Sequence, residues 1–245
     1  MNWKEVLIHA SSVSKLFTSP KSKEDKLAGN LSGTAISHCI EIYNEKKYGR
    51  KKQVETKGMR KGTKVEPESI MLLSEWLGDF LEKNEETLSN DFITGTPDVR
   101  WVNPNTGKKV IFEIKSSETI HTFMPKILDG VDEHFEQVNS YMWLDNADEG
   151  YLVYCLTTNS QDEINKEKGY LMNKLGCISE ESPEFIAAWE EKRLLLEYDD
   201  IAENERILIF PIEKDPNFPE NCKQKVEKAR QFLSEFEQRH LNFNQ

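Results

Sequence analysis

Apolar residues recur at helical spacing in LSGTAISHCIEIYNEKKYG, where Ile36, Ile40 and Tyr43 share one side and Ser32 or Thr34 can cap the first turn. A second helix is predicted over residues 64 to about 82, with Val65, Ile70, Leu73, Leu77 and Phe80 on one side. The period then changes. DFITGTPDVRWV breaks at Gly-Thr-Pro and resumes as a strand, residues 103–107 (Asn-Pro-Asn-Thr-Gly) form a turn, and KVIFEIKSS returns, so the two pieces predict a hairpin.

A helix over residues 131 to about 144 follows, carrying Phe135, Val138, Tyr141 and Met142. GYLVYCLTT is almost wholly apolar and β-prone, as a buried strand should be. Pro183 opens a long amphipathic helix through about residue 198, RILIFPI reads as a strand, and a last helix is expected over residues 219 to about 240. Helices, hairpin, helix, strand, helix, strand, helix make a mixed α/β layered arrangement.

The 245 residues fit one large domain, or a core with appendages. The opening MNWKEVLIHASSV lacks a basic stretch followed by a long apolar one, so no signal peptide is expected. No apolar run approaches the roughly 18 residues of a membrane helix, and the chain is expected to be soluble and cytoplasmic. Cys39, Cys155, Cys177 and Cys222 show no CxxC spacing, which argues against a zinc or iron–sulfur site and for buried free thiols in a reducing compartment.

Net charge is −11, a poor match for a protein that grips nucleic acid over its whole surface. The charge is uneven, however. Residues 45–64 hold nine Lys or Arg against two Glu, whereas residues 129–149 and 180–205 are strongly acidic. A local basic patch suits phosphate binding at one face, and a solvated lysine-rich loop explains the same charges.

The chemistry-bearing residues sit in the hairpin. Residues two apart on a strand face the same way, so Glu113 and Lys115 project together from apolar surroundings of Ile111, Phe112 and Ile114. A charge in such a setting needs a partner or a metal. Asp98 begins the neighbouring strand, within reach of Glu113. Two carboxylates held together raise a pKa, and a divalent cation removes that penalty. Oxygen ligands of this kind suit Mg²⁺ or Mn²⁺, and one or two such ions serve phosphodiester hydrolysis, with Lys115 positioning water or offsetting charge on the phosphate. The triplet alone is short, and by itself reads first as an ordinary hairpin with an Asp in its turn and a surface Glu–Lys stripe.

The wider context resembles the PD-(D/E)XK nuclease superfamily. Thr96-Pro97-Asp98, fourteen residues, then Glu113-Ile114-Lys115 resembles its signature. Upstream, GTKVEPESIMLL is similar to the Gly-x-x-x-Glu-Pro helix of the RecB-like and lambda exonuclease (YqaJ-like) branch. Downstream, EQVNSYMWL resembles that branch's Gln-x-x-x-Tyr motif as Gln137 and Tyr141, one helical turn apart. The likeness covers about residues 58–157, and ASSVSKLFTSP is weakly similar.

The resemblance implies a restriction-endonuclease-like α-β-α core with a central mixed sheet, in one nuclease domain spanning residues 1–245. The catalytic core would be residues 58–157, with a helical part over 1–57 and helices and a strand over 160–245. It implies that Asp98, Glu113 and the Ile114 carbonyl ligate the metal, that Glu66 ligates a second metal or holds its water, and that Lys115 assists the nucleophile. Gln137 would orient Lys115 or the scissile phosphate, and Tyr141 would pack or contact DNA. Glu68 competes with Glu66, but Glu66 precedes the Pro as the pattern asks. Arg50, Lys51, Lys52, Lys57, Arg60, Lys61 and Lys64 are expected to meet the DNA backbone.

The resemblance further implies a Mg²⁺-dependent 5′→3′ exonuclease acting on double-stranded DNA ends in phage-type recombination, in a bacterial or phage-infected cell. A single-strand annealing protein and a ring-forming homo-oligomer, basic inside and acidic outside, are its expected partners; no membrane is expected. The late cysteines, 22 and 45 residues apart, depart from relatives with an iron–sulfur cluster. A restriction or junction-resolving endonuclease and a non-catalytic binding module are the rivals. His134 and His121 are expected at the surface or in packing, and Trp101 and Trp143 in the core rather than stacked on bases.

Overall fold

The computed structural model describes residues 1–53, 56–129 and 134–243. Its centre is a four-stranded mixed sheet ordered β4-β5-β6-β7: Val99–Val102, Lys109–Ser116, Glu149–Cys155 and Ile207–Ile212. β4 runs antiparallel to β5, with Val99 opposite Phe112, as the predicted hairpin requires. β6 lies parallel to β5 and β7 antiparallel to β6.

Alternation along β5 sorts its side chains between two helix layers. Val110, Phe112 and Ile114 pack with Ile70, Leu72 and Leu73 of helix α4 (Lys57–Leu77). Ile111 joins Leu152 of β6 against Val138, Tyr141 and Met142 of α7 (Phe135–Asp145). Each such buried aliphatic side chain contributes about 1.5–3 kcal/mol. The result is an α-β-α sandwich. Glu113 and Lys115 alternate in phase with Ile111, toward α7.

Helix α4 begins seven residues before the expected position. Thr56 Oγ1 accepts from Met59 N at 3.1 Å, and Gly78 closes the helix in the left-handed conformation. The lysines and glycines ahead of residue 64 read as a loop, yet they form its first two turns. Pro67 lies inside it, and Phe80, expected on its apolar side, lies beyond its end and is exposed. The start of the helix expected from residue 131 falls outside the described residues.

A smaller sheet, β1-β3-β2, joins Ile8–His9, Ile93–Gly95 and Leu88–Ser89. Helices α1 (Ser14–Phe17), α2 (Lys23–Ala28) and α3 (Gly33–Tyr48) flank it in sequence, Ser32 capping α3 as expected. Short helices α5 (Ile120–Phe123) and α6 (Lys126–Asp129) follow β5. Helix α8 (Gln161–Leu175) is not predicted by any apolar periodicity in the sequence. Ile164 is its one buried residue, so no apolar stripe marks it. Helix α9 (Pro183–Arg193) stops about five residues short of its expected end.

The final helix, α10 (Phe218–Asn242), packs Phe218, Cys222, Val226, Ala229 and Leu233 against Trp3, Val6, Ile8, Ala35 and Tyr43. Its Arg230 donates to the Val6 carbonyl at 3.1 Å. The C-terminal part thus completes both the sheet, through β7, and the N-terminal core. Cys39, Cys155 and Cys222 are buried free thiols and Cys177 is half-buried. Among the described residues no helix is long and apolar enough to cross a membrane.

Candidate active site

The site forms where the hairpin strands part. Extending the β4–β5 register by one residue sets Asp98 opposite Glu113. Asp98 Oδ2 accepts the Ile114 backbone N–H at 2.7 Å. Burial, the Glu113 carboxylate and, more weakly, Glu66 push the Asp98 carboxyl up to about 7, against the pull of the Ile114 N–H and Lys115.

Glu113 is 3% exposed. Its Oε1 accepts from Lys115 Nζ at 2.5 Å and from Gln137 Nε2 at 2.7 Å. Its Oε2 is buried and has no hydrogen-bond partner. An unmatched buried acceptor costs about 1–3 kcal/mol, and more when charged. Burial opposes the charge on Lys115, but Glu113 and then Asp98 outweigh it and raise its pKa.

Helix α7 reaches this cluster because two glycines admit it. A Cβ on Gly95 would lie 2.7 Å from Tyr141 Cε1 and 2.8 Å from Ala10 Cβ. One on Gly150 of β6 would lie 2.6 Å from Val138 Cγ1. Gln137 is consequently buried, donating to both Glu113 and the Tyr141 hydroxyl, the latter at 3.2 Å. It holds Glu113 directly, and reaches Lys115 through the shared Oε1. Tyr141 is 3% exposed beneath Gly95, so its assignment as a DNA contact is corrected to a packing and hydrogen-bonding role.

Between the two candidate helical acids, geometry favours Glu66. Its charge is felt at Asp98, and it pairs with Lys83 at 2.9 Å, while Glu68 is exposed. Lys83 and its neighbour Asn84 were not singled out in the sequence. Asn84 N donates to the Asp98 carbonyl at 2.8 Å and Asn84 Nδ2 to the Pro97 carbonyl at 3.0 Å. Both sit in an acid-rich stretch, EKNEE, without periodicity, so nothing in the sequence marks them.

The basic run does not form one open patch. Lys61 is 3% exposed, its Nζ donating to the Glu118 carbonyl at 3.2 Å and lying 5.2 Å from the centre of the Tyr198 ring. That burial removes Lys61 from the expected DNA contacts. Lys52 pairs with Glu41, Lys57 with Glu167 and Lys64 with Glu163. Arg50 and Lys51 are exposed and Arg60 is half-buried. Acidic side chains from α3 and α8 therefore neutralise much of a stretch that looks basic in the sequence.

Of the lesser candidates, Trp101 and Trp143 pack against the core only half-buried rather than within it. His134 Nδ1 lies 3.4 Å from Gln137 Oε1, and His121 is exposed in α5. Trp143 stacks on Phe92, and Trp101 Nε1 donates to Asp79 at 2.8 Å.

Among the described residues, no group of three or more His, Cys, Asp or Glu side chains converges as a ready metal cage. The donor set nonetheless fits a hard cation that keeps several waters. Glu113 Oε2 is unsatisfied, Asp98 is strained toward its neutral form by the adjacent carboxylate, and both donors are oxygens.

An acidic pair and a lysine at the open end of a mixed-sheet hairpin, backed by a Gln-bearing helix, define the restriction-endonuclease-like class. The solved structures agree. A phage-related exonuclease from Haemophilus somnus 129PT superposes with a TM-score of 0.74 at 25% identity, covering 96% of this chain and 97% of that one. An alkaline exonuclease (LHK-Exo) from Laribacter hongkongensis gives a TM-score of 0.62 at 14% identity, over 99% and 98% of the two chains. LHK-Exo in complex with dAMP gives 0.57 at 15%, over 94% and 88%. No protein-family model and no curated protein matches the sequence. The chain has the fold of these exonucleases, which bears out its resemblance to the lambda-exonuclease-like branch of the PD-(D/E)XK nucleases.

Proposed function

We propose that this protein is a DNA exonuclease of the phage-recombination type, hydrolysing phosphodiester bonds at Asp98, Glu113 and Lys115. The observation that carries this reading is Glu113: buried, held on one oxygen by Lys115 and Gln137, and left with the other oxygen unmatched within an exonuclease fold. Asp98, Glu113 and the Ile114 carbonyl are the residues that would hold Mg²⁺ or Mn²⁺, with Glu66 at the outer side. Such an ion would supply Lewis-acid polarisation of the phosphodiester and a lowered pKa for water.

The protein's own residues do the rest. Gln137 fixes the Glu113 rotamer and leaves Oε2 as the free donor. The ammonium of Lys115, kept charged by Glu113, positions the attacking water or offsets charge gained by the phosphate. The Ile114 N–H holds the Asp98 carboxylate against β5. Duplex ends as substrate, 5′→3′ polarity, a ring-forming oligomer and an annealing partner belong to the same reading through the resemblance. The scattered pairing of the basic run gives no separate support for a basic channel.

The test is digestion of a 5′-labelled linear duplex and a closed circular plasmid with Mg²⁺, with EDTA, and with the Lys115→Ala variant. Loss of the linear DNA alone, abolished by EDTA and by the variant, is the expected result. Cutting of the circle would establish an endonuclease instead. No cleavage of either substrate with Mg²⁺ or Mn²⁺ would sink the nuclease reading.

A further inference from the structure

A second lysine pairs with Glu66, the helical acid of the site. Lys83 Nζ lies 2.9 Å from Glu66 Oε2 and 3.5 Å from Glu85 Oε1. The segment bearing it is rigidly placed. Leu81 is 4% exposed, and its N–H donates to Ser74 Oγ at 3.1 Å. Asn84 is bonded to the Asp98 and Pro97 carbonyls, and Thr87 meets Thr96 at 2.8 Å between hydroxyls. Lys83 is thus carried on an arm stitched to the strand that presents Asp98. From there it reaches across to helix α4.

We infer that Lys83 is a positioning residue that restrains Glu66 and sets how readily the acidic site takes up a divalent cation. This rests on the nuclease reading for its purpose, but not for its measurement. Two effects of Lys83 oppose each other. It orients Glu66, which favours cation binding, and it places a positive charge beside a donor oxygen, which disfavours it. The side chains are 44% and 22% exposed, and a pair this open contributes at most about fivefold to an equilibrium. A cation taken up by Glu66 would share that carboxylate with the Lys83 ammonium, and a unit charge within about 6 Å of a divalent cation costs about tenfold even at the dielectric of water. Repulsion therefore wins. A DNA phosphate arriving at Lys83 would take over that charge and release Glu66, so that DNA and cation each strengthen the other's binding.

The experiment is Mn²⁺ binding to the DNA-free protein, read by the electron paramagnetic resonance of free Mn²⁺, for wild type, Lys83→Met, Lys83→Arg and the Lys83→Met/Glu66→Gln double variant. Lys83→Met should bind Mn²⁺ about tenfold more tightly, Lys83→Arg should stay near wild type because it keeps the charge, and the double variant should lose the gain. Unchanged or weaker binding by Lys83→Met overturns the inference, as does an equal shift in Lys83→Arg or no binding by any form. If wild type fails to cleave DNA while the Mn²⁺ isotherms shift as stated, the nuclease reading fails and the restraint stands.

Discussion

Two lysines, Lys115 on β5 and Lys61 on α4, are taken from water in opposite ways. Lys115 is half-buried against the Glu113 carboxylate, and the attraction there exceeds the cost of burial, so its pKa rises. Lys61 is almost fully buried with a backbone carbonyl and an aromatic face, and burial pulls its pKa down to about 8 despite the distant pull of Glu118. A full opposite charge keeps an ammonium charged at the hairpin, where a permanent cation is useful. A dipole and a ring do not. The difference separates a site from a packing solution that borrows the same residue type.

The comparison breaks most sharply at Lys115. Lys115→Ala should lower the rate of duplex degradation by on the order of a hundred- to a thousandfold, and should lower the melting temperature as well, because the buried Glu113 carboxylate loses its cation. An unchanged rate would place Lys115 with Lys61, as a structural cation.

Lys61 should show itself in stability. Its ammonium is disfavoured in the folded chain, so between about pH 8 and the ordinary lysine range the unfolded chain binds more protons. Stability attributable to Lys61 therefore rises with pH across that window, by roughly 3 kcal/mol in all. Chemical denaturation of wild type and Lys61→Met at pH 7.5 and 10.5 should give a difference that narrows or reverses with pH in this sense. A constant difference would mean that Lys61 keeps its ordinary affinity for protons.

Gln137 sharpens the comparison at smaller scale, since it holds the carboxylate that holds Lys115. Gln137→Ala should reduce activity about 10- to 100-fold and shift the Mn²⁺ requirement upward. Unchanged activity would mean that Lys115 alone fixes Glu113.

The hairpin, strands β6 and β7 and the last helix were legible in the chain because each carries a strong local signal: alternation with a five-residue turn, an apolar β-prone run, or an apolar stripe. Glu113 and Lys115 were legible because strand alternation places them on one face, and Asp98 because the hairpin brings it opposite them; Gln137 was reached only through the resemblance of its Gln-x-x-x-Tyr motif. Helix α8 was not, since it buries only Ile164 and its polar length resembles a loop. The early start of α4 was hidden for a related reason: its first two turns are basic and glycine-bearing, and they are held by a Thr56 cap and by the burial of Lys61.

Sequence by itself determined the layered α/β order and the acid–lysine set at the end of the hairpin, because those depend on contacts along one strand pair or one helical turn. Only the tertiary structure decided which charges stay free. Glu41, Glu163 and Glu167 lie 11, 99 and 110 positions from the lysines they neutralise, and Lys83 meets Glu66 from a segment whose Asn84 is bonded to the Asp98 carbonyl. Electrostatic pairing acts across a few ångströms of space whatever the separation along the chain, so a basic run in one segment says little until the acids that fold against it are known.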